Sequence, residues 1–334
     1  MFDGTSILVT GGTGSFGHRF VRTVLDQYSP RRLIVFSRDE MKQYEMQQIF
    51  PGSRYACMRY FIGDVRDAER LTMAMRDVDY VVHAAALKHV TAAEYNPFEC
   101  VQTNVHGAEN VVNAAIGNNV KRVLALSTDK AANPVNLYGA TKLASDKIFV
   151  AGNHLSGSSE TRFSVVRYGN VLGSRGSVIP YFNKLIAEKA GSLPITDKRM
   201  TRFWITLQQA VDFVLSSMEM MQGGEIYVPK IPSMRIVDLA ECMAPDMCRE
   251  EVGIRPGEKL HEVMITEDDS LTTLELSDRY IIEPPFNMWS EGRKPHPEGV
   301  PVPEGFRYAS DTNPDWIDGP VMARLLGDLA THPE

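Results

Sequence analysis

Short apolar runs alternate with stretches of helical spacing through the first half of the chain. Residues 6–10, 32–37, 59–62, 80–83, 122–127 and 163–168 each read as a strand, most with consecutive apolar residues, as in strands buried on both faces. Between them, apolar residues recur every three or four positions, most clearly over 98–116 and 137–150, which predicts helices. Regular alternation of strand and helix predicts a parallel sheet covered on both faces. The expected fold class is α/β, with a Rossmann-type doubly wound sheet over residues 1–169. After about Gly169 the pattern changes. Gly173 to Gly176 reads as a loop, 178–189 as a helix, and Pro229 to Pro232 as a break. Residues 170–282 are expected to form mainly a smaller α/β substrate unit, discontinuous, with some segments returning to the first. Residues 283–334, rich in proline and polar residues, are expected to be an irregular tail.

Two motifs sit on this frame. Gly11, Gly14 and Gly17 give the spacing Gly-x-x-Gly-x-x-Gly between the first apolar run and a helical stretch. Such a turn lets a pyrophosphate approach a helix N-terminus closely. The alternative, a glycine-rich turn without a ligand, is disfavoured by the flanking strand and helix. The fifth run ends in Ser127, Thr128, Asp129 and Lys130, and Tyr138 and Lys142 follow. Tyr138 and Lys142 lie one turn apart on one helix face. A lysine beside a tyrosine hydroxyl favours the phenolate, which makes the tyrosine a proton acceptor. In open sheets ligands lie beyond the carboxyl ends of strands, where all these residues fall.

The end of the second run bears on the cofactor. An acid there accepts from the ribose of NAD and repels a 2′-phosphate. Ser37 stands in that place, with Arg38 next and Lys42 one turn on. Serine and two cations suit a 2′-phosphate, so NADP is expected. Pairing of Arg38 with Asp39 or Glu40 would leave NAD open. Asp64 and Val65 are placed at the adenine edge, and Ala84, Ala85 and Ala86 leave room for the middle of the dinucleotide.

The 334 residues allow a large core and one or two domains. A net charge of −7 and the lack of a basic stripe argue against general nucleic-acid binding. No apolar run approaches the roughly 20 residues of a membrane helix. The chain enters a strand almost at once, leaving no room for a leader, so a cytoplasmic location is expected. Cys57, Cys100, Cys242 and Cys248 show no Cys-x-x-Cys spacing, the eight histidines no ligand spacing, and no metal is expected.

Together these segments resemble the extended short-chain dehydrogenase/reductases that modify nucleotide sugars. More narrowly, the chain is similar to the inverting UDP-N-acetylglucosamine 4,6-dehydratases of pseudaminic acid biosynthesis. The resemblance rests on residues 10–17, 37–40, 61–67, 83–90, 127–142, 167–170, 173–177, 200–205 and 254–262. Ser-Thr-Asp-Lys is its narrowest marker, because retaining dehydratases carry glutamate where Lys130 stands. The resemblance implies a tightly bound NADP regenerated in each turnover, held by Gly11, Thr13, Gly14, Ser15, Phe16, Gly17, Ser37, Arg38, Asp39, Lys42, Asp64, Val65, Ala84, Ala85, Ala86, Lys88, Asn104, Tyr138 and Lys142. It implies UDP-N-acetylglucosamine as substrate, met by Lys88, Thr128, Asn170, Val171, Arg175, Thr196, Arg202, Arg255 and Glu258. Arg202 and Arg255 suit a diphosphate. Tyr138 with Lys142 would take the proton of the 4-hydroxyl. Lys130 is assigned to the C5 proton, Asp129 to the C6 leaving group, and Thr128 to a position near O4. A lysine base needs a lowered pKa, expected here from burial and from Lys142. The competing view has Lys130 only anchor Asp129. The family also implies a closed homo-oligomer, often a hexamer. A C4 epimerase, a one-way reductase and a non-catalytic cofactor sensor are the rival functions. The first has no use for the Asp129–Lys130 pair, and sensors often lose the Tyr–Lys pair.

Overall fold

The computed structural model describes residues 1–174, 176–286 and 295–331. Six parallel strands come first: β1 (Ser6–Thr10), β2 (Arg32–Ser37), β3 (Met58–Ile62), β4 (Tyr80–His83), β5 (Arg122–Thr128) and β6 (Arg162–Tyr168). All five residues of β1 are buried, as its unbroken apolar pattern requires. The sheet runs β3-β2-β1-β4-β5-β6, continues with Ile226–Pro229 parallel to β6, and ends in Arg279–Ile282, Thr273–Glu275 and Val300–Pro301. These last three pair antiparallel. Strand order reverses where β1 meets both β2 and β4, which opens a crevice at their carboxyl ends.

The first glycine turn depends on close packing. A Cβ on Gly17 would overlap the carbonyl of Gly12, so only glycine lets the helix Ser15–Gln27 start there. Gly17→Ala is expected to cost about 3 kcal/mol through overpacking, read by urea unfolding. An unchanged midpoint would contradict this packing account.

The stretch 98–116, read as one helix, is three joined pieces: Pro97–Val101, a π-helical turn Gln102–His106, and Gly107–Gly117. Beyond β6, a second core gathers Leu172, Phe182, Leu193, Met200, Trp204 and Leu239. The helix Leu207–Met220 and the strands Ile226–Pro229 and Arg279–Ile282 instead contribute to the large core. The tail is not irregular, contrary to the sequence reading. Gly319–Thr331 is a helix, and Ile317 and Met322 lie buried in the second core. Val300–Pro301 joins the sheet edge. No described helix is long and apolar enough to cross a membrane.

Candidate active site

A cleft of about 710 Å³ lies over the carboxyl ends of the strands. Gly11, Thr13, Gly14, Ser15 and Phe16 form one end of its lining. The helix Ser15–Gln27 has no side-chain N-cap, so its first amides are available to phosphate oxygens. Gly17 packs behind this turn. Ser37, Arg38, Lys42, Asp64, Val65, Ala84, Ala85, Ala86 and Lys88 continue the lining. Thr13 and Ser37 share a hydrogen bond of 2.8 Å. Arg38 pairs with Asp64 at 3.7 Å, not with Asp39 or Glu40, and Lys42 pairs with Asp39 at 3.2 Å. Asp39 lies outside the lining and caps the helix Glu40–Ile49 by accepting from Lys42 N. Asn104 also lies outside it. Fully buried on the π-helical turn, Asn104 brackets Leu87 through N–H and C=O and donates to Thr141, so it braces the cleft wall from behind.

The reactive groups converge after β5. Thr128 caps a short 3-10 turn, Asp129–Ala131. Its hydroxyl accepts from Lys130 N and donates to Asp129 Oδ1 at 2.9 Å. Lys130 Nζ donates to the same oxygen at 3.0 Å. The helix Leu137–Leu155 starts at Asn136, which accepts from Gly139 N. Gly139 permits this helix to lie against the turn, because a Cβ there would overlap the Lys130 carbonyl. Tyr138 is thereby held in the cleft, beside Thr128. Thr128, Lys130, Tyr138 and Lys142 all line the cleft, while Asp129 is fully buried behind them. Asp129 Oδ2 has no hydrogen-bond partner among the described residues.

The electrostatics correct two expectations. Burial pushes the Tyr138 hydroxyl up to about 12, and the cation that opposes it is Lys130 rather than Lys142. Lys142 Nζ is turned to the Leu126 carbonyl at 2.8 Å, and burial lowers its pKa against the pull of Asp146. Lys130 was expected to be lowered. Burial does act in that direction, but the charges of Asp129 and Glu262 outweigh it and keep the ammonium protonated. Asp129 is pushed up by burial, and by Glu262, against the pull of Lys130.

Glu262 escaped the sequence reading, although it ends the stretch 254–262. It is buried 3.3 Å from Lys130 Nζ. Asp146 and Arg167, also overlooked, form a buried pair behind Lys142, with Ser127 donating to Asp146 at 2.8 Å. Among the substrate candidates, Asn170 and Val171 line the cleft beside Lys88. Arg202, Arg255, Glu258 and Thr196 do not. Arg202 is buried and donates to the carbonyls of Thr201, Lys259 and Leu260, which corrects its assignment to a diphosphate. Arg255 is exposed and pairs with Glu258 at 3.7 Å. Their loop docks on the catalytic helix through Asn136 Nδ2, which donates to Gly257 O at 2.7 Å. Thr196 follows the strand Ser192–Ile195 in the second unit. Arg175 lies outside the described residues. Among the described residues no cluster of histidine, cysteine and carboxylate could hold a metal.

The pattern of the polysaccharide biosynthesis protein family matches residues 7–284. The chain belongs to this family. Among relatives, the inverting UDP-N-acetylglucosamine 4,6-dehydratase of Campylobacter jejuni (strain 81-176) is 56% identical, covering 100% of this chain and 99% of its own. The UDP-glucose 4-epimerase of Rickettsia massiliae is 40% identical, covering 84% of each chain. Among solved structures, Pen from Bacillus thuringiensis superimposes with a TM-score of 0.90 at 38% identity, covering 99% of this chain and 100% of its own. The two chains therefore share one fold over their whole length.

Proposed function

We propose that the protein is a configuration-inverting UDP-N-acetylglucosamine 4,6-dehydratase that works with bound NADP. The observation that carries the reading is the convergence of Tyr138, Thr128 and the charged Lys130 on one wall of a dinucleotide-sized cleft, with Asp129 buried directly behind them and bonded to Thr128 and Lys130. The likeness to the Campylobacter jejuni dehydratase over the full chain supports it.

The cleft fits a dinucleotide: uncapped helix amides at the glycine turn, two cations at the end of β2, and small alanines after β4. When bound, the nicotinamide supplies the hydride acceptor for C4 and the donor for C6. Lys142 is placed to hold the ribose. Tyr138, as the phenolate that the Lys130 charge favours against burial, accepts the proton of the sugar's 4-hydroxyl, with Thr128 beside it. The C4 ketone acidifies C5. Asp129 takes the C5 proton and passes it to O6, which leaves as water; its carboxylate, buried behind Thr128 and Lys130, must be drawn to the cleft for this. The Lys130 ammonium then protonates C5, and inversion there requires Nζ to leave the Asp129 oxygen it holds at 3.0 Å and reach the opposite face. Tyr138 has gained one proton and Lys130 has lost one, so transfer between them through Thr128 restores the site. Lys130 thus acts as the C5 donor, a role its retained charge suits better than that of a base. Lys88, Asn170 and Val171 meet the sugar nucleotide in the cleft, and Arg255 and Glu258 meet it from the docked loop. By the same reading the protein is cytoplasmic, works in surface-sugar synthesis of the pseudaminic acid type, and assembles as a homo-oligomer.

An epimerase of the Rickettsia massiliae kind is the second reading. It moves no proton at C5 and leaves the buried Asp129–Lys130–Glu262 cluster without a task. Incubation with UDP-N-acetylglucosamine separates the two. A 6-deoxy-4-keto product supports the dehydratase, and a C4 epimer alone overturns it.

The preference for NADP has its own test. The pairs Arg38–Asp64 and Lys42–Asp39 are solvent-accessible and weak, so a 2′-phosphate can displace them. Arg38→Ala with Lys42→Ala is expected to weaken NADP binding by roughly 10- to 100-fold and NAD binding by less than about 3-fold. Calorimetric titration checks this, and equal losses for both cofactors would contradict it.

A further inference from the structure

Glu262 is a carboxylate 1% exposed. A charge buried this far persists only when it is paired. Its Oε1 lies 3.3 Å from Lys130 Nζ and 3.6 Å from Arg202 Nε. Its Oε2 has no hydrogen bond among the described residues, and Lys259 Nζ stands 3.9 Å away. The cations Lys130, Arg202 and Lys259 hold Glu262 ionised against the effect of burial.

Its position is fixed from elsewhere in the chain. Glu262 N donates to Ser310 Oγ at 2.9 Å, and Ser310 N donates to Glu262 O at 2.8 Å. The strand Val263–Ile265 that follows pairs with Tyr308–Ala309. Met264 O accepts from Arg167 Nη1 at 2.9 Å, and Arg167 holds Asp146 behind Lys142. The carboxylate is therefore presented to Lys130 by a framed strand end, not by a free loop. Lys130 Nζ sits with Asp129 Oδ1 at 3.0 Å on one side and Glu262 Oε1 at 3.3 Å on the other.

We propose that Glu262 is a positioning residue for the elimination: it shares the Lys130 ammonium with Asp129 and fixes it between two carboxylates. The proposal rests on the dehydratase reading above. It gives the two carboxylates different tasks. Glu262, facing Arg202 and Lys259 as well, stays ionised. Asp129, with Lys130 as its bonded cation and Lys259 farther off, feels the like charge of Glu262 and gains proton affinity, which suits a group that must take the C5 proton. Tyr138 faces Lys130 from the catalytic helix and is affected through it.

The test compares wild-type protein, Glu262→Gln and Glu262→Asp, each with NADP and UDP-N-acetylglucosamine. The readouts are the pH profile of kcat and the entry of solvent deuterium at C5. Glu262→Gln keeps the shape and removes the charge. Asp129 becomes less basic, so the acid limb of kcat is expected to move down by about one pH unit. Turnover and C5 exchange should fall by about 10- to 100-fold, with KM within about 3-fold. Glu262→Asp retains the charge at a greater distance and should shift the limb the same way by less. A folded Glu262→Gln protein with an unmoved limb and normal exchange overturns the proposal, because a merely structural role leaves the limb in place. Should Glu262→Gln fail to fold, Glu262→Asp decides, and an unmoved limb again overturns it. Wild-type protein that does not dehydrate the sugar nucleotide refutes the functional reading instead.

Discussion

Tyr138→Phe is expected to lower kcat for UDP-N-acetylglucosamine by about 10³-fold, with substrate affinity changed by less than about 3-fold. The hydroxyl lines the cleft beside Thr128 at the end of β5, and its removal leaves the first oxidation without its assigned base. The ring remains packed at 8% exposure with Ala93 and Cys100, so the fold should survive. Stopped-flow absorbance of the bound cofactor with excess substrate separates the possibilities. The variant should show no transient reduction on the wild-type timescale. Normal transient reduction with slow product release would move the proton acceptor away from Tyr138.

Lys130→Gln should have the second large effect. Removing the ammonium leaves Asp129 and Glu262 buried without their shared cation, a change that typically costs about 3–5 kcal/mol of stability. Turnover should fall by about 10²- to 10⁴-fold. The stereochemical consequence is more specific. Without Lys130 the donor assigned to the far face of C5 is gone, so residual product should carry the retained D-xylo configuration, formed by return of the proton from Asp129. Product with C5 inverted at the wild-type rate would show that Lys130 only anchors Asp129.

Both predictions concern residues that are close in sequence, and that is why they could be read. Thr128, Asp129, Lys130, Tyr138 and Lys142 occupy one strand end and the helix after it, so local spacing places them together. The six parallel strands were legible for a similar reason, because a strand covered on both faces carries an unbroken apolar run. Glu262 reaches the site through pairing of Val263–Ile265 with Tyr308–Ala309, and no local period encodes such a pairing. Arg202 looked like a phosphate ligand because guanidinium suits phosphate, yet the carbonyls of Thr201, Lys259 and Leu260 claim it. Asn104 stands near the cofactor wall in sequence but on its hidden side, a distinction set by the π-helical turn. The helix Gly319–Thr331 was obscured by the proline-rich stretch before it. Its own spacing of Met322, Leu325, Leu326 and Leu329 does carry a helical signal.

The lowered pKa expected for Lys130 failed for an instructive reason. Burial alone favours neutral lysine, but a buried lysine between two carboxylates is held charged. The sequence showed one of those carboxylates, Asp129, and not the other. With both in place, Lys130 is better suited to deliver a proton than to remove one, and inversion at C5 becomes a consequence of two proton-handling groups with separate tasks.

The most direct test of the account is proton NMR of UDP-N-acetylglucosamine incubated in deuterium oxide with the protein and catalytic NADP. The account predicts a new C6 methyl signal, deuterium at C5 and the ring couplings of the L-arabino-hexos-4-ulose. A change confined to C4, or no change in the sugar, would contradict it.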